Sequence, residues 1–299
     1  MLNRPVIVLD TSVHNRMMKD GLQSEAIFAA LQTGYFVRIT GIAIEELMKT
    51  SNCETRTRLI TTAARLMNGP FDCLLPQDEI GTRLARAYEA DPLHFQWGSV
   101  DITSPEYTAE LTKRTLTADD AFAGYVCSKL TDSSKTFEKV WSNLRSKLEE
   151  IYQRDGSPRP LTFDEVIPQA IGENGLFWGV AEDLYNFAAR APASAGTIRH
   201  FVDGCPPFRC LVYAILMAWY DRSLREYQGG DRFPARQIDL FMAIYLPYCN
   251  QFISAEKKGQ QAKCLAEIAR LAKVATLIRS YDDFCSGLLG SLCAGQVIF

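Results

Sequence analysis

Histidine is scarce in this chain, with three in 299 residues. Cysteine occurs nine times, but scattered and nowhere as C-x-x-C; the closest pair lies in Cys205-Pro-Pro-Phe-Arg-Cys210. With so few imidazoles and no paired thiols, the common zinc frameworks and a disulfide scaffold are not supported. Reduced, buried thiols in a cytoplasmic protein are the expectation. No stretch reaches the ~18 uncharged apolar residues of a membrane span. Residues 1–5 lack a basic start, and Val6 to Leu9 is too short for the apolar core of a secretion signal, so none is expected. The net charge of -3 excludes a protein that coats nucleic acid non-specifically, yet leaves room for a local basic groove beside an acidic site. There is no Gly-rich phosphate loop, no G-x-S-x-G and no internal repeat.

What the chain does have is an apolar start that runs into an acid: Val6-Ile7-Val8-Leu9-Asp10-Thr11-Ser12. A short apolar run without alternation reads as a strand buried on both faces, as in a parallel sheet. Asp10 then falls at the strand's carboxyl end, where open α/β sheets hold their ligands. A carboxylate there is costly to bury without a partner, and a divalent cation is one. Asp10 or Ser12 as the cap of a following helix is the other reading.

The alternation continues. A helix is expected over about 23–32, a strand over 35–39, a short helix from Ile42 with Thr40 as its cap, and a helix over 55–67. A strand over 71–75 and a helix over about 77–88 follow. From Asp91 the character changes, and residues 91–232 read as a mainly helical insertion. Its expected helices are about 119–129, 135–152, 178–191 and 208–226, the last apolar nearly all round. Strand–helix alternation then resumes: helix 236–245, strand 248–254, helix 256–271, strand 274–278 and a closing helix from Tyr281. The fold expected is α/β, a three-layer α/β/α with a central mainly parallel sheet. Residues 1–90 and 233–299 form a discontinuous core, and 91–232 a helical subdomain.

Four acids fall near the carboxyl edge of such a sheet: Asp10, Glu46, Asp239 and Glu256. Convergent carboxylates repel and raise one another's pKa. Mg²⁺ or Mn²⁺ relieves that repulsion and suits oxygen ligands. The competing readings are helix-start acids for Asp239 and Glu256, and a solvated helix face for Glu45 and Glu46.

The segments around these acids resemble the PIN-domain ribonuclease family: Val-Ile-Val-Leu-Asp10-Thr-Ser, Ile42-Ala-Ile-Glu-Glu46-Leu, Ile238-Asp239-Leu-Phe-Met-Ala-Ile and Phe252-Ile-Ser-Ala-Glu256. Leu74-Leu-Pro-Gln-Asp-Glu79 resembles that family's third strand and the helix after it. The resemblance covers about 1–90 and 233–290 and implies a metal-dependent endoribonuclease. In it Asp10, Glu46 and Asp239 are the metal ligands and Glu256 completes the catalytic acids. Glu256 stands where the family more often has Asp, so its longer arm reaches the metal through water. Glu46 is preferred to Glu45 because it directly precedes Leu47, as in the family's Glu-Leu pair.

Thr11, Ser12 and Asn15 are candidates to orient an acid or a water, or else to cap the first helix. Arg209 and Lys257 are candidates for phosphate contacts, against structural or solvated roles. Asp282 and Asp283 read as capping residues, and Trp97, Trp141, Trp178 and Trp219 as core. The expected function is phosphodiester hydrolysis on RNA before DNA, in a toxin, a defence effector or a processing enzyme. The alternative is a catalytically inactive PIN-like binding or scaffold module. Nucleic acid is the expected partner, with a second copy or an inhibitory protein as further ones and no membrane. A haloacid-dehalogenase-like phosphatase would want Asp-x-Asp after the first strand, and Ser12 occupies the second place.

Overall fold

A computed structural model describes residues 4–20, 22–67, 69, 72–105, 124, 128, 163–172, 175–189, 192–221, 240–256 and 260–293. Among them, five strands form one all-parallel sheet. They are β1 (Val6–Leu9), β2 (Phe36–Thr40), β3 (Cys73–Leu74), β4 (Gln251–Ser254) and β5 (Leu277–Ser280), in the order β3-β2-β1-β4-β5. β1 is central, with Val8 opposite Arg38 on one side and Phe252 on the other. The described helices are α1 (Thr11–Asp20), α2 (Leu22–Gly34), α3 (Gly41–Met48), α4 (Cys53–Leu66), α5 (Gln77–Ala90), α6 (Phe163–Ala170), α7 (Leu176–Ala189), α8 (Ala195–Gly204), α9 (Pro206–Trp219), α10 (Gln260–Leu271) and α11 (Tyr281–Cys293).

Because side chains alternate along a strand, β1 feeds two cores. Ile7 and Leu9 pack with Val13 and Met17 of α1, Ile27 and Leu31 of α2 and Phe284 of α11. Val8 joins Phe252, Leu84 of α5, Tyr185 of α7, Phe201 of α8, Leu211 of α9 and Ile268 of α10. Helices therefore cover both faces, which is why β1 has no polar alternation. Among the described residues after Asp91, α6 to α9 join the same core as Val8 and Phe252. At its centre Phe201 meets Tyr88, Phe95, Tyr185 and Phe208 at ring-centroid distances of 4.8–5.7 Å. No single described helix is long and apolar enough to cross a membrane.

Several boundaries differ from the sequence expectation. α1 starts at once after Asp10, where only the cap and no helix span before residue 23 was expected: apart from Val13, Met17 and Met18 its residues are polar. α6 and α8 were not foreseen, and α8 turns into α9 through a bend of 105°. Cys205 precedes a proline, which disfavours continued α-helix there. Residues 242–248, expected as helix and then strand, form a 3₁₀ turn containing Pro247, so β4 starts at Gln251. The last strand starts at Leu277, not Val274, because α10 closes through Lys273 at φ 55 with Val274 N–H bonded to the Ala269 carbonyl at 2.9 Å. Residues 102–104 run antiparallel beside β3, Leu75 N–H reaching the Ile102 carbonyl at 2.9 Å, and so touch the sheet at its edge. The helices expected over 119–129 and 135–152 lie outside the described residues except at Gly124 and Ser128.

Candidate functional site

Asp10 directly follows β1, and its N–H bonds the Ile253 carbonyl of β4 at 2.9 Å. Its side chain thus sits at the carboxyl edge between the two central strands, and the residue is 4 % exposed. Oδ2 accepts the Ser12 N–H at 3.2 Å and the Ser12 hydroxyl. Oδ1 accepts Nε2 of Gln261 at 3.2 Å. The Ser254 hydroxyl is 3.5 Å from Oδ2 but 2.8 Å from Oε1 of Gln261, and its single hydrogen goes to the nearer acceptor. That bond also fixes the Gln261 amide, oxygen toward Ser254 and nitrogen toward Asp10. Ser12 Oγ in turn accepts the Ala255 N–H at 2.9 Å, and Ser254 Oγ the Glu256 N–H at 3.3 Å. The capping reading therefore holds, with Asp10 at the start of α1. The same residue is a buried carboxylate at the carboxyl edge of the sheet.

Glu46 is brought to the same edge by the turn from β2 into α3. The Thr40 hydroxyl accepts the Ala43 N–H at 3.1 Å and starts the helix, as expected. A Cβ on Gly41 would stand 2.6 Å from the backbone nitrogen of Pro76, so only glycine lets this turn lie against the start of α5. One helical turn later Glu46 Oε2 accepts the Thr11 hydroxyl at 2.5 Å. Asp10 and Glu46 are thereby joined through adjacent residues of one chain segment. Glu45 is buried on another side of α3 and is 7 % exposed.

The other candidates are placed unevenly. Asp239 and Lys257 lie outside the described residues, as do Lys258 and Trp141. Close in sequence to Asp239, Met242 Sδ accepts the Thr40 hydroxyl at 3.6 Å, at the carboxyl end of β2. Glu256 turns its carboxylate onto the start of α10, where Oε2 accepts the Gln261 N–H at 2.7 Å, which is the helix-start reading. Asn15 bonds the Thr11 carbonyl of its own helix at 3.2 Å. Arg209 donates to the Ala272 carbonyl at 2.8 and 3.2 Å and to the Asp203 carbonyl at 3.0 Å. Ala272 is at the far end of α10, about 16 Å from Gln261 by helical rise, so Arg209 staples helix ends together and is not a phosphate ligand of this edge. Asp283 accepts the Ser280 hydroxyl at 2.6 Å while its own N–H returns to Ser280 at 3.1 Å, the capping role expected at the start of α11. Trp97, Trp178 and Trp219 pack against the core.

Two residues were missed. Gln261 is 2 % exposed on the stripe of α10 that carries Leu265, Ile268 and Ala272. A polar residue on an otherwise apolar helix face was the available signal. His14 is fully buried on α1 with neither ring nitrogen hydrogen-bonded, and burial pulls its pKa down to about 4. Its scarcity in the sequence drew attention only to metals.

The ligand atoms gathered here are carboxylate and hydroxyl oxygens, which suit a hard cation. Oδ1 of Asp10 accepts one hydrogen bond and so keeps a lone pair uncommitted. Among the described residues, however, no three His, Cys, Asp or Glu side chains are grouped to hold a metal ion. Glu46 with Asp10 gives a pair, and the third expected acid is Asp239. Two cavities lie elsewhere. One of about 870 Å³ is lined by residues including Asp78, Arg86 and Phe187; one of about 470 Å³ is lined by residues including Arg38, Trp97 and Tyr248. No protein-family model, no curated protein and no solved structure matches the chain.

Proposed function

We propose that the protein is a divalent-cation-dependent phosphodiesterase of the PIN-like class that hydrolyses RNA. The observation that carries this reading is Asp10, a buried carboxylate at the carboxyl end of the central parallel strand, tied through Thr11 to Glu46 of the neighbouring β2–α3 unit. Mg²⁺ or Mn²⁺ would be held by Asp10, Glu46 and Asp239. Asp239 enters as the third ligand through the resemblance to the PIN-domain family. When bound, the cation supplies positive charge for a phosphoryl oxygen and lowers the pKa of water. The chain's own part is positioning. Ser12 and Gln261 fix Asp10, Thr11 fixes Glu46, and Glu256 holds the start of α10 beside them. No disulfide joins the described cysteines, which fits a cytoplasmic protein.

The test is cleavage of mixed single-stranded and structured RNA with Mg²⁺ or Mn²⁺, with chelator, and by Asp10→Asn. Cation-dependent cutting that Asp10→Asn loses is expected. Equal cutting by wild type and Asp10→Asn would refute the reading. The second reading, a PIN-like module that binds without turnover, draws on the absence of a three-acid group among the described residues. Its outcome in the same assay is RNA retained and left intact.

A further inference from the structure

We propose that Gln261 is a positioning residue of the Asp10 site, a role that rests on reading Asp10 as a cation ligand. A buried glutamine is costly unless its amide is bonded at both ends, and Gln261 meets that condition with partners from two strand ends. Nε2 donates to Asp10 Oδ1 at 3.2 Å, after β1. Oε1 accepts the Ser254 hydroxyl at 2.8 Å, at the end of β4. Its backbone N–H meanwhile holds Glu256 Oε2 at 2.7 Å. One residue thus sets the rotation of the Asp10 carboxylate, keeps the Ser254 hydroxyl away from it, and joins Glu256 to the same unit. With Oδ2 occupied by both Ser12 donors, the amide leaves Oδ1 as the oxygen with room for a cation. Without the amide, Ser254 is free to turn its hydrogen to Oδ2, and Asp10 loses its fixed rotamer. Outer partners of this kind are typically worth about 10–100-fold in metal affinity.

The experiment uses the full chain, stripped of metal, as wild type, Gln261→Leu and Gln261→Met. Calorimetric titration with Mn²⁺ is expected to give affinity about 10–100-fold weaker for both variants, with unchanged far-ultraviolet circular dichroism. Equal affinity of wild type and variants overturns the positioning role and leaves the proposed function standing. No Mn²⁺ binding by wild type overturns the cation reading itself and this role with it. Gln261→Met is close to glutamine in size and carries no donor for Asp10, so it decides the proposal alone if Gln261→Leu does not fold.

Discussion

Two buried polar side chains stand one helical turn apart on α1 and are treated in opposite ways. Asp10 opens the helix with donors on both of its oxygens, from Ser12 and Gln261. His14, four residues on, is sealed with no hydrogen bond on either ring nitrogen. Burial of a charged group is tolerable when partners replace water, and burial of a neutral imidazole is tolerable only while it stays neutral. The first arrangement holds a carboxylate ready at the sheet edge. The second makes the same helix sensitive to acid. The proposed chemistry belongs to the edge at Asp10, and a limit on the pH range belongs to the interior at His14.

The sharpest break in this comparison comes at Asp10. Asp10→Asn should cut RNA cleavage by at least about 10²–10³-fold, the scale of removing one charge-stabilising group from such a site. Relief of acid–acid repulsion favours the metal-free variant slightly. The hydrogen bonds argue the reverse. An amide nitrogen placed at Oδ1 would face the Gln261 amide nitrogen, and one placed at Oδ2 would face the Ser12 donors. One donor is left unsatisfied, which costs about 1–3 kcal/mol. Metal-free thermal unfolding checks this, and an unchanged or higher Tm would mean the donors around Asp10 are not as ordered as drawn.

His14 gives the next effect. Its folded pKa of about 4 lies below the ordinary value of 6.5. The unfolded chain therefore binds the proton first as pH falls. Stability from this group is complete above pH ~6.5 and is lost progressively down to pH ~4, by about 3 kcal/mol in all. Denaturant unfolding at pH 7 and at pH 4.5 should show the loss in wild type and a clearly smaller one in His14→Leu. The same acid sensitivity in both proteins would place its origin elsewhere.

Much of this was legible because local chemistry and tertiary role agree. The uninterrupted Val6–Leu9 run could only be a strand covered on both faces, and Thr40 before an apolar helix could be read as a cap. The acid edge was legible at Asp10 and Glu46 for the same reason, since each follows a strand by a short, capped turn. What stayed hidden depends on long-range contact. Gln261 is separated from Asp10 by 251 positions, so nothing local marks the pair. Arg209, beside a helix start, was open to a phosphate or a structural role, and the partner that decides for the structural one is a carbonyl 63 positions away. β5 was placed too early because Val274 is apolar and β-branched. Its N–H is instead spent on closing α10.

Gly41 tests how Glu46 reaches the edge. A methyl group there meets the backbone nitrogen of Pro76 at 2.6 Å, and backbone cannot move aside cheaply. Gly41→Ala should cost about 1–3 kcal/mol by the usual scale of overpacking. Because the turn carries α3, the shift also moves Glu46 relative to Thr11, so RNA cleavage should fall in step with Tm. Lost stability with full activity would show that α3 adjusts and that the Thr11–Glu46 bond is not a demanding one.

The smallest effect is expected at Glu256. Its carboxylate accepts the Gln261 N–H at 2.7 Å at the start of α10. Glu256→Gln keeps an oxygen in the same place and loses only the charge facing the helix N-terminus, about 0.3–1 kcal/mol. Glu256→Ala also loses the acceptor and should cost nearer the ~1 kcal/mol typical of a removed cap. Activity should follow the same order and stay well above that of Glu46→Gln, whose carboxylate is tied to Thr11 beside Asp10 rather than to a helix end. Kinetics of the three variants on one RNA substrate measure this. A Glu256→Gln protein as dead as Asp10→Asn would move Glu256 from the support of α10 into the reacting centre.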